Sequence, residues 1–202
     1  FFIDPCMAMA PNGDIVMIVD FWPECKGLHM RRILDKHKAP YAEINGKQLS
    51  IIYDKNKNPF YIDENGTVLD SVKDVTSYTV KGLGNLYNGD EYIGNIFLNG
   101  PEGANEAEVE LTFGAPLRAP KRNYVYMLRS SDKGKTWSEP KDITHMLLRR
   151  SDGTFLGVAP GVGLTTKAGR ILMPLYVDRK STVTIYSDDN GETWHRSDEQ
   201  PY

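Results

Sequence analysis

Ser130-Ser131-Asp132-Lys133-Gly134-Lys135-Thr136-Trp137 and Ser187-Asp188-Asp189-Asn190-Gly191-Glu192-Thr193-Trp194 are two copies of one pattern, S-x-D-x-G-x-T-W. Each shared position has a physical task. The Asp carboxylate can accept hydrogen bonds from backbone N–H groups of a tight turn and so hold the loop shut. Gly supplies a left-handed backbone conformation that strains other residues. Thr and Trp lead into the next strand, with the indole folding back over the turn. A turn rich in Asp can also suggest calcium, but neither copy has the acidic ligand count or the closing Glu of an EF-hand loop. Asp132 and Asp189 therefore read as architectural. So do Ser130, Gly134, Thr136 and Trp137 of the first copy, and Ser187, Gly191, Thr193 and Trp194 of the second.

Outward from these turns the chain reads as β throughout. Tyr124 to Arg129 forms a strand leading into the first copy. Gly161 to Thr166, Arg170 to Val177 and Thr182 to Ser187 are expected as three strands leading into the second, with a fourth starting near Trp194. Four short antiparallel strands in succession describe one propeller blade. Near the start, Ile15-Val16-Met17-Ile18-Val19 is a continuous apolar run, as expected of a central strand buried on both faces. Its partner, around Ile3 to Met9, precedes it across the Asn12-Gly13 turn. Such a hairpin sets Cys6 opposite roughly Val19, so Cys6 and Cys25 are expected as free thiols. Glu24 to Pro40 is the one stretch expected to be irregular or partly helical, and its basic cluster reads as a solvated loop.

From Tyr41 to about Ala104 the texture changes. Short β-like runs (Leu49 to Tyr53, Pro59 to Ile62, Val75 to Val80) alternate with turns at Asn45-Gly46, Asn56 to Asn58, Asn65-Gly66 and Asn88-Gly89. Asn and Gly tolerate the positive φ that tight hairpins require. The expected organisation is therefore propeller strands over 1–40, a small inserted β domain over 41–104, and propeller blades over 105–202.

Composition narrows the function classes. The chain of 202 residues carries 24 Lys plus Arg against 27 Asp plus Glu, for a formal net charge of −3. No broad basic surface advertises nucleic acid, and no apolar run approaches the roughly 20 residues needed to cross a bilayer. Two cysteines exclude a disulfide-stapled miniprotein. Lys81-Gly82-Leu83-Gly84 and Gly161-Val162-Gly163 lack the strand–helix context of a nucleotide loop. His145 and His195 have no partners at metal spacing, and Lys121, Arg122 and Arg149-Arg150 read as solvated loop charges. The abrupt start at Phe1-Phe2-Ile3 and end at Gln200-Pro201-Tyr202 lead to the expectation of a piece of a longer chain.

The two repeats are identified as Asp boxes, and with them in view the chain resembles the bacterial exo-sialidases (neuraminidases) of the large secreted type. Phe155-Leu156-Gly157-Val158-Ala159-Pro160-Gly161-Val162-Gly163 is similar to the family's F-L-G-x-x-P-G-x-G segment. Gly169-Arg170-Ile171-Leu172-Met173-Pro174-Leu175-Tyr176 is similar to its G-R-I-x-x-P-x-Y, and Ser130 to Thr144 to its box followed by W-S-x-P-x-x-I-T. Ile3-Asp4 through Val19 matches the strand pair before the family's β insertion. The resemblance implies an all-β chain that is part of a six-bladed sialidase-type β-propeller, about two blades, with a small β domain inserted.

The resemblance also implies chemistry. Family sialidases hold the sugar carboxylate with three arginines, because a guanidinium fork matches a carboxylate bidentately. An Asp serves as acid/base, and a Tyr activated by a Glu forms a covalent glycosyl-enzyme with retention. None of these groups is matched in this chain, so no residue here is assigned a catalytic role, and no metal or organic cofactor is implied. Substrate contacts carry over to Asp4, matching the family Asp that accepts hydrogen bonds from the N-acetyl amide and the O4 hydroxyl. The alternative is a strand-end Asp satisfying local backbone. Ile3 lines the acetyl pocket or is a plain core residue. Asp20, Trp22 and Leu28 fall where the family puts further acetyl-pocket residues, Trp22 being equally readable as a surface aromatic. Phe155 matches an aromatic at the rim of the glycerol pocket or belongs to the core. The implied partners are sialylated glycans and the remaining blades of the parent chain, with a secreted or cell-surface location. A non-catalytic Asp-box propeller that binds glycans or proteins, and an intramolecular trans-sialidase, are the competing readings.

Overall fold

An apolar run set between two turn signals becomes a strand with a neighbour on each side. That is what Ile15–Phe21 does in the computed structural model, which describes residues 2–23, 38–98, 115–152, 155–178 and 181–201. The described chain divides into two compact units. One is formed by Phe1–Trp22 with Asn123–Tyr202 and the other by Pro23–Arg122, where the sequence reading set 41–104.

In chain order the first unit opens with β1 (Phe2–Met9) and β2 (Ile15–Phe21). The second unit contributes β3 (Tyr41–Ile44), β4 (Lys47–Tyr53), β5 (Pro59–Ile62), β6 (Thr67–Leu69), β7 (Val75–Lys81), β8 (Asn85–Asn88) and β9 (Glu91–Asn95). The first unit resumes with β10 (Tyr124–Ser130), β11 (Lys141–Asp142), the short helix α1 (Thr144–Leu147), a 3-10 turn (Arg150–Asp152) and β12 (Leu156–Val158). It ends with β13 (Gly161–Val162), β14 (Leu164–Thr165), β15 (Ile171–Val177), β16 (Ser181–Ser187), β17 (His195–Arg196) and β18 (Gln200–Pro201).

The first unit is two sheets. One has the order β11-β10-β2-β1-β13, so the apolar β2 is flanked by β1 and β10 as its composition requires. Asn12 makes the β1–β2 turn by accepting the Asp14 N–H at 3.1 Å, with Gly13 at φ 91°. Cys6 lies opposite Ile18, one residue from the expected register, and is a buried free thiol; Cys25 lies outside the described residues. The other sheet has the order β12-β15-β16-β17, with β14 also on β15 and β18 also on β16. Alternating β15 and β16 residues (Ile171, Met173, Leu175, Val183, Ile185) bury inward with Val16, Ile18, Val125 and Trp194 in one core. Each such side chain is worth about 1.5–3 kcal/mol of transfer free energy.

Two sequence expectations are corrected in this unit. The single strand from Gly161 to Thr166 is in fact two: β13 pairs in parallel with β1, and β14 pairs with β15. Gly163 is the crossing point. Its N–H donates to the Met7 carbonyl at 2.8 Å, and a Cβ there would stand 2.7 Å from the Leu172 oxygen. A residue with a side chain could not pass between the sheets. The second correction is small: within the all-β fold, Thr144–Leu147 turns once as a helix. Asp142 accepts the Thr144 N–H at 2.9 Å, and the Thr144 hydroxyl accepts the Val125 N–H at 2.7 Å. One turn is too short to show a helical period.

Both Asp boxes close in the same way. Asp132 Oδ1 accepts the Thr136 N–H at 2.9 Å and the Ser130 hydroxyl at 2.8 Å, while Oδ2 accepts the Thr136 hydroxyl at 2.6 Å. Asp189 repeats this with Thr193 and Ser187, at 2.9, 2.7 and 2.5 Å. Lys133 and Gly134 are left-handed at φ 65° and 86°, and Asn190 and Gly191 at 60° and 90°. The indoles differ in burial: Trp194 is enclosed, whereas Trp137 lies over Gly134 and keeps 36% of its surface in solvent. Hydrogen bonds from the Thr136 side chain and backbone, then Ser130, hold the Asp132 carboxyl at about 2. Burial pushes Asp189 upward, but the bonds from Thr193 and Ser187 outweigh it and leave it also at about 2. A carboxyl whose folded value is depressed stabilises above its unfolded value, and that stability is lost as pH falls through the folded one. The double variant Asp132→Asn with Asp189→Asn should therefore lose the steep part of the thermal-unfolding profile between about pH 4 and 2 that the parent shows.

The second unit is a seven-stranded antiparallel meander, β3 through β9 in sequence order. Asn45 and Gly46, at φ 53° and 75°, form the first hairpin. Three further turns use one device that the sequence reading did not isolate. Asp54, Asp63 and Asp70 each accept the N–H four residues on, from Asn58, Thr67 and Asp74, at 2.8, 2.8 and 3.0 Å. Arg122, expected as a solvated charge, is buried at 2% exposure. Residues 24–37, which include most of the stretch expected to be irregular, lie outside the described residues.

Candidate functional site

One end of the first unit gathers most of the singled-out residues. Ile3 and Asp20 are register partners on β1 and β2. Two residues past Asp20, Trp22 stacks on Phe155 with ring centroids 5.6 Å apart and planes at 24°. Phe155 in turn meets Tyr176 of β15 at 5.1 Å. Gly157 makes this wall possible, because a Cβ there would lie 2.5 Å from the Phe155 ring and 2.8 Å from that of Tyr176.

The residues sort into a face and a backing. Ile3 is 39% exposed and Asp4 is half-buried. Asp20, Trp22 and Phe155 have 1%, 1% and 2% exposure. They are enclosed, whereas Ile3 and Asp4 reach the surface. Leu28 lies outside the described residues.

Asp4 is held in an unusual backbone state. The β1–β2 register shifts between Ile3 and Cys6, and within that bulge Asp4 has φ 56°. A left-handed residue other than Gly costs on the order of 1 kcal/mol, and Asp tolerates it better than most. The bulge re-aims the side chain away from the strand's alternation. Asp4 makes no hydrogen bond or ion pair with any described residue. It is a half-buried carboxylate with open acceptor oxygens.

Behind it, Asp20 ties β2 to β12 and to the residue before β10. Its Oδ1 accepts the Val158 N–H at 2.9 Å and stands 3.4 Å from the Asn123 amide nitrogen. Its Oδ2 is buried and has no hydrogen-bond partner among the described residues. Burial pushes the carboxyl up to about 8; the Val158 N–H lowers it, the Asp4 charge raises it and Asn123 lowers it. Its burial and the unpartnered Oδ2 both favour the neutral acid over the anion.

Sequence reasoning missed Asn123, Tyr176 and Gly157. Asn123 clamps the Leu156 backbone from both sides, donating to its oxygen at 2.5 Å and accepting its N–H at 3.1 Å. A usable signal was present: an uncharged polar residue directly before the apolar run of β10. Among the described residues no group of three His, Cys, Asp or Glu is placed to hold a metal, and no helix is long and apolar enough to cross a membrane.

Comparison with known proteins adds the following. Residues 107–200 match the family described as BNR repeat-like domain. The chain is 29% identical over 177 residues to the anhydrosialidase of Macrobdella decora, covering 76% of this chain and 23% of that one. It is 26% identical over 200 residues to sialidase B of Streptococcus pneumoniae, covering 92% of this chain and 28% of that one. Among solved structures, it superposes on a leech intramolecular trans-sialidase complexed with 2,7-anhydro-Neu5Ac. The TM-score there is 0.78 at 23% identity, over 100% of this chain and 32% of that one. The chain thus spans about a quarter of the length of these curated relatives and has the fold of a sialidase propeller segment.

Proposed function

We propose that this chain is a segment of the catalytic β-propeller of an exo-α-sialidase, and that it supplies the wall against which the N-acetyl end of a terminal sialic acid rests. The observation that carries the reading is Asp4. It is a half-buried carboxylate with open oxygens, aimed out of a strand by a left-handed bulge beside the exposed Ile3. The sugar's amide N–H and O4 hydroxyl would donate to Asp4, and the acetyl methyl would lie on Ile3. The reaction itself would fall to residues outside this chain. A Tyr nucleophile suits an anionic sugar there, since a carboxylate nucleophile would be repelled.

An exposed apolar strip supports partner blades. Met7 and Met9 of β1, Val162 of β13 and Leu164 of β14 stand between 39% and 86% exposed at one edge of the first unit. A neighbouring blade would cover them. A secreted or cell-surface setting belongs to the same proposal, since sialylated glycans are met outside the cell.

A second reading has specific support. The Macrobdella relative is an anhydrosialidase and the superposed leech enzyme is an intramolecular trans-sialidase. Incubating the full-length protein with 3′-sialyllactose separates the readings. Free sialic acid marks a hydrolase, and 2,7-anhydro-Neu5Ac marks the intramolecular transfer. Absence of both overturns the enzymatic reading and leaves a binding propeller.

The role of Asp4 has its own test. A hydrogen bond to a charged group is worth about 1.5–3 kcal/mol, so Asp4→Gly should lower kcat/KM by roughly ten- to a hundredfold. Glycine accepts φ 56° without strain, so the variant should unfold no earlier than the parent. Lost activity with kept stability identifies a substrate contact. Lost stability with unchanged kcat/KM identifies a strand-end residue.

A further inference from the structure

We propose that Asp20 is a positioning residue: as a neutral acid it latches β2 to β12 behind the substrate face, and its ionisation releases the bulge that carries Asp4. The inference rests on the sialidase reading for its kinetic half only.

The geometry is that of a latch. Asp20 sits directly across the β1–β2 ladder from Ile3, the residue before Asp4. From the other side its Oδ1 receives the Val158 N–H at 2.9 Å, so one carboxyl spans from the first sheet of the unit to the second. Oδ2 is enclosed without a partner among the described residues. That arrangement is tolerable for a neutral acid and costly for an anion, which needs its oxygens solvated or hydrogen-bonded.

The groups facing Asp20 offer hydrogen bonds, which favour its anion, but no positive charge, and burial outweighs those bonds. Asp4 faces it from β1. On β10, Val125 lies opposite, and the Asn123 amide and the Tyr124 phenol precede it. Leu156 and Val158 face it from β12. The charged group among these is Asp4, of the same sign, and it too favours the protonated form. When Asp20 ionises, two carboxylates stand at one bulge. The one free to move is Asp4, which no described residue holds.

The decisive variant is Asp20→Asn. The amide keeps the acceptor for Val158 N–H, has the size of the protonated acid, and cannot ionise. The folded value of Asp20 lies above its unfolded one, so its contribution is full below the unfolded value and is lost as pH rises through the folded one. The unfolding midpoint of the parent protein should therefore fall relative to the variant from about pH 4 up to about 8, and stay parallel above. This readout needs no substrate. In the full-length enzyme, KM for a sialoside should climb above about pH 8, approaching tenfold per unit. The climb should vanish in the Asn variant, with kcat following one profile in both.

Parallel midpoints across the whole range, or an unchanged alkaline KM limb in Asp20→Asn, overturn the latch. A full-length protein with no sialidase activity overturns the functional reading instead, and the midpoint comparison still decides whether Asp20 is a buried neutral acid coupled to folding. Should Asp20→Asn misfold, Asp4→Asn serves as the second variant. Removing the like charge should move the alkaline KM limb to lower pH if the latch exists, and leave it in place if it does not.

Discussion

Replacing Asp152 by alanine should lower the stability of the propeller segment by about 3–5 kcal/mol, the loss expected when one partner of a buried ion pair is removed. Arg196 of β17 is almost fully enclosed, at 3% side-chain exposure, and Asp152 at 0%. Arg196 Nη1 donates to Asp152 Oδ2 at 2.5 Å and to the Leu147 carbonyl at 3.1 Å, while Nη2 donates to Glu199 at 2.9 Å. The same Asp152 oxygen accepts the Arg149 N–H at 2.7 Å, closing the 3-10 turn. Alanine would leave a guanidinium buried against one carbonyl and one half-exposed carboxylate. Urea denaturation should show the midpoint displaced with the slope unchanged. Removing both charges, as Asp152→Leu with Arg196→Met, should recover most of the loss, because the charge left without a partner, Glu199, reaches solvent. Equal losses in single and double variants would contradict this account.

Phe155→Ala should cost a similar amount, about 3–5 kcal/mol for a fully buried ring, and should also disturb the proposed substrate face. The ring is held between Trp22 at 5.6 Å and Tyr176 at 5.1 Å. Its removal opens a void next to Gly157, one residue before the N–H that Asp20 accepts. Under the proposed function, the stability loss should therefore come with a raised KM in the full-length protein. Phe155→Leu, which refills part of the volume, should restore most of both. A loss of stability with KM untouched would separate the aromatic wall from the site.

What could be read in the sequence was local. An Asp box is closed by its own side chain bonding to its own backbone, so eight residues suffice to recognise it. The β1–β2 hairpin announced itself through Asn12-Gly13 for the same reason. Asp54, Asp63 and Asp70 carry an equally local device, yet they lack a fixed Gly and Trp and so were not separated from ordinary polar turns. Burial was the harder question. Trp22 could be read as surface or interior because its stacking partner, Phe155, arrives from a distant part of the chain. Arg122 looked like a loop charge because its burial is set by the fold and not by its neighbours in sequence. Gly163 was read through as mid-strand because nothing nearby in sequence reports that two sheets meet there. Of the candidate site, Ile3 and Asp4 were singled out only by resemblance. The bulge and the left-handed φ that aim Asp4 are properties of the folded ladder.

The pairing of Phe21 with Tyr124 has a consequence for how such a protein can change. The chain leaves β2 for the second unit and re-enters at β10 across a single antiparallel rung, so to the propeller the whole of Pro23–Arg122 is the connection of one hairpin. The entropy of closing a loop grows only with the logarithm of its length. Lengthening, replacing or deleting that excursion therefore leaves the ladder around it intact. A lineage could exchange the insert as a cassette without disturbing the blades.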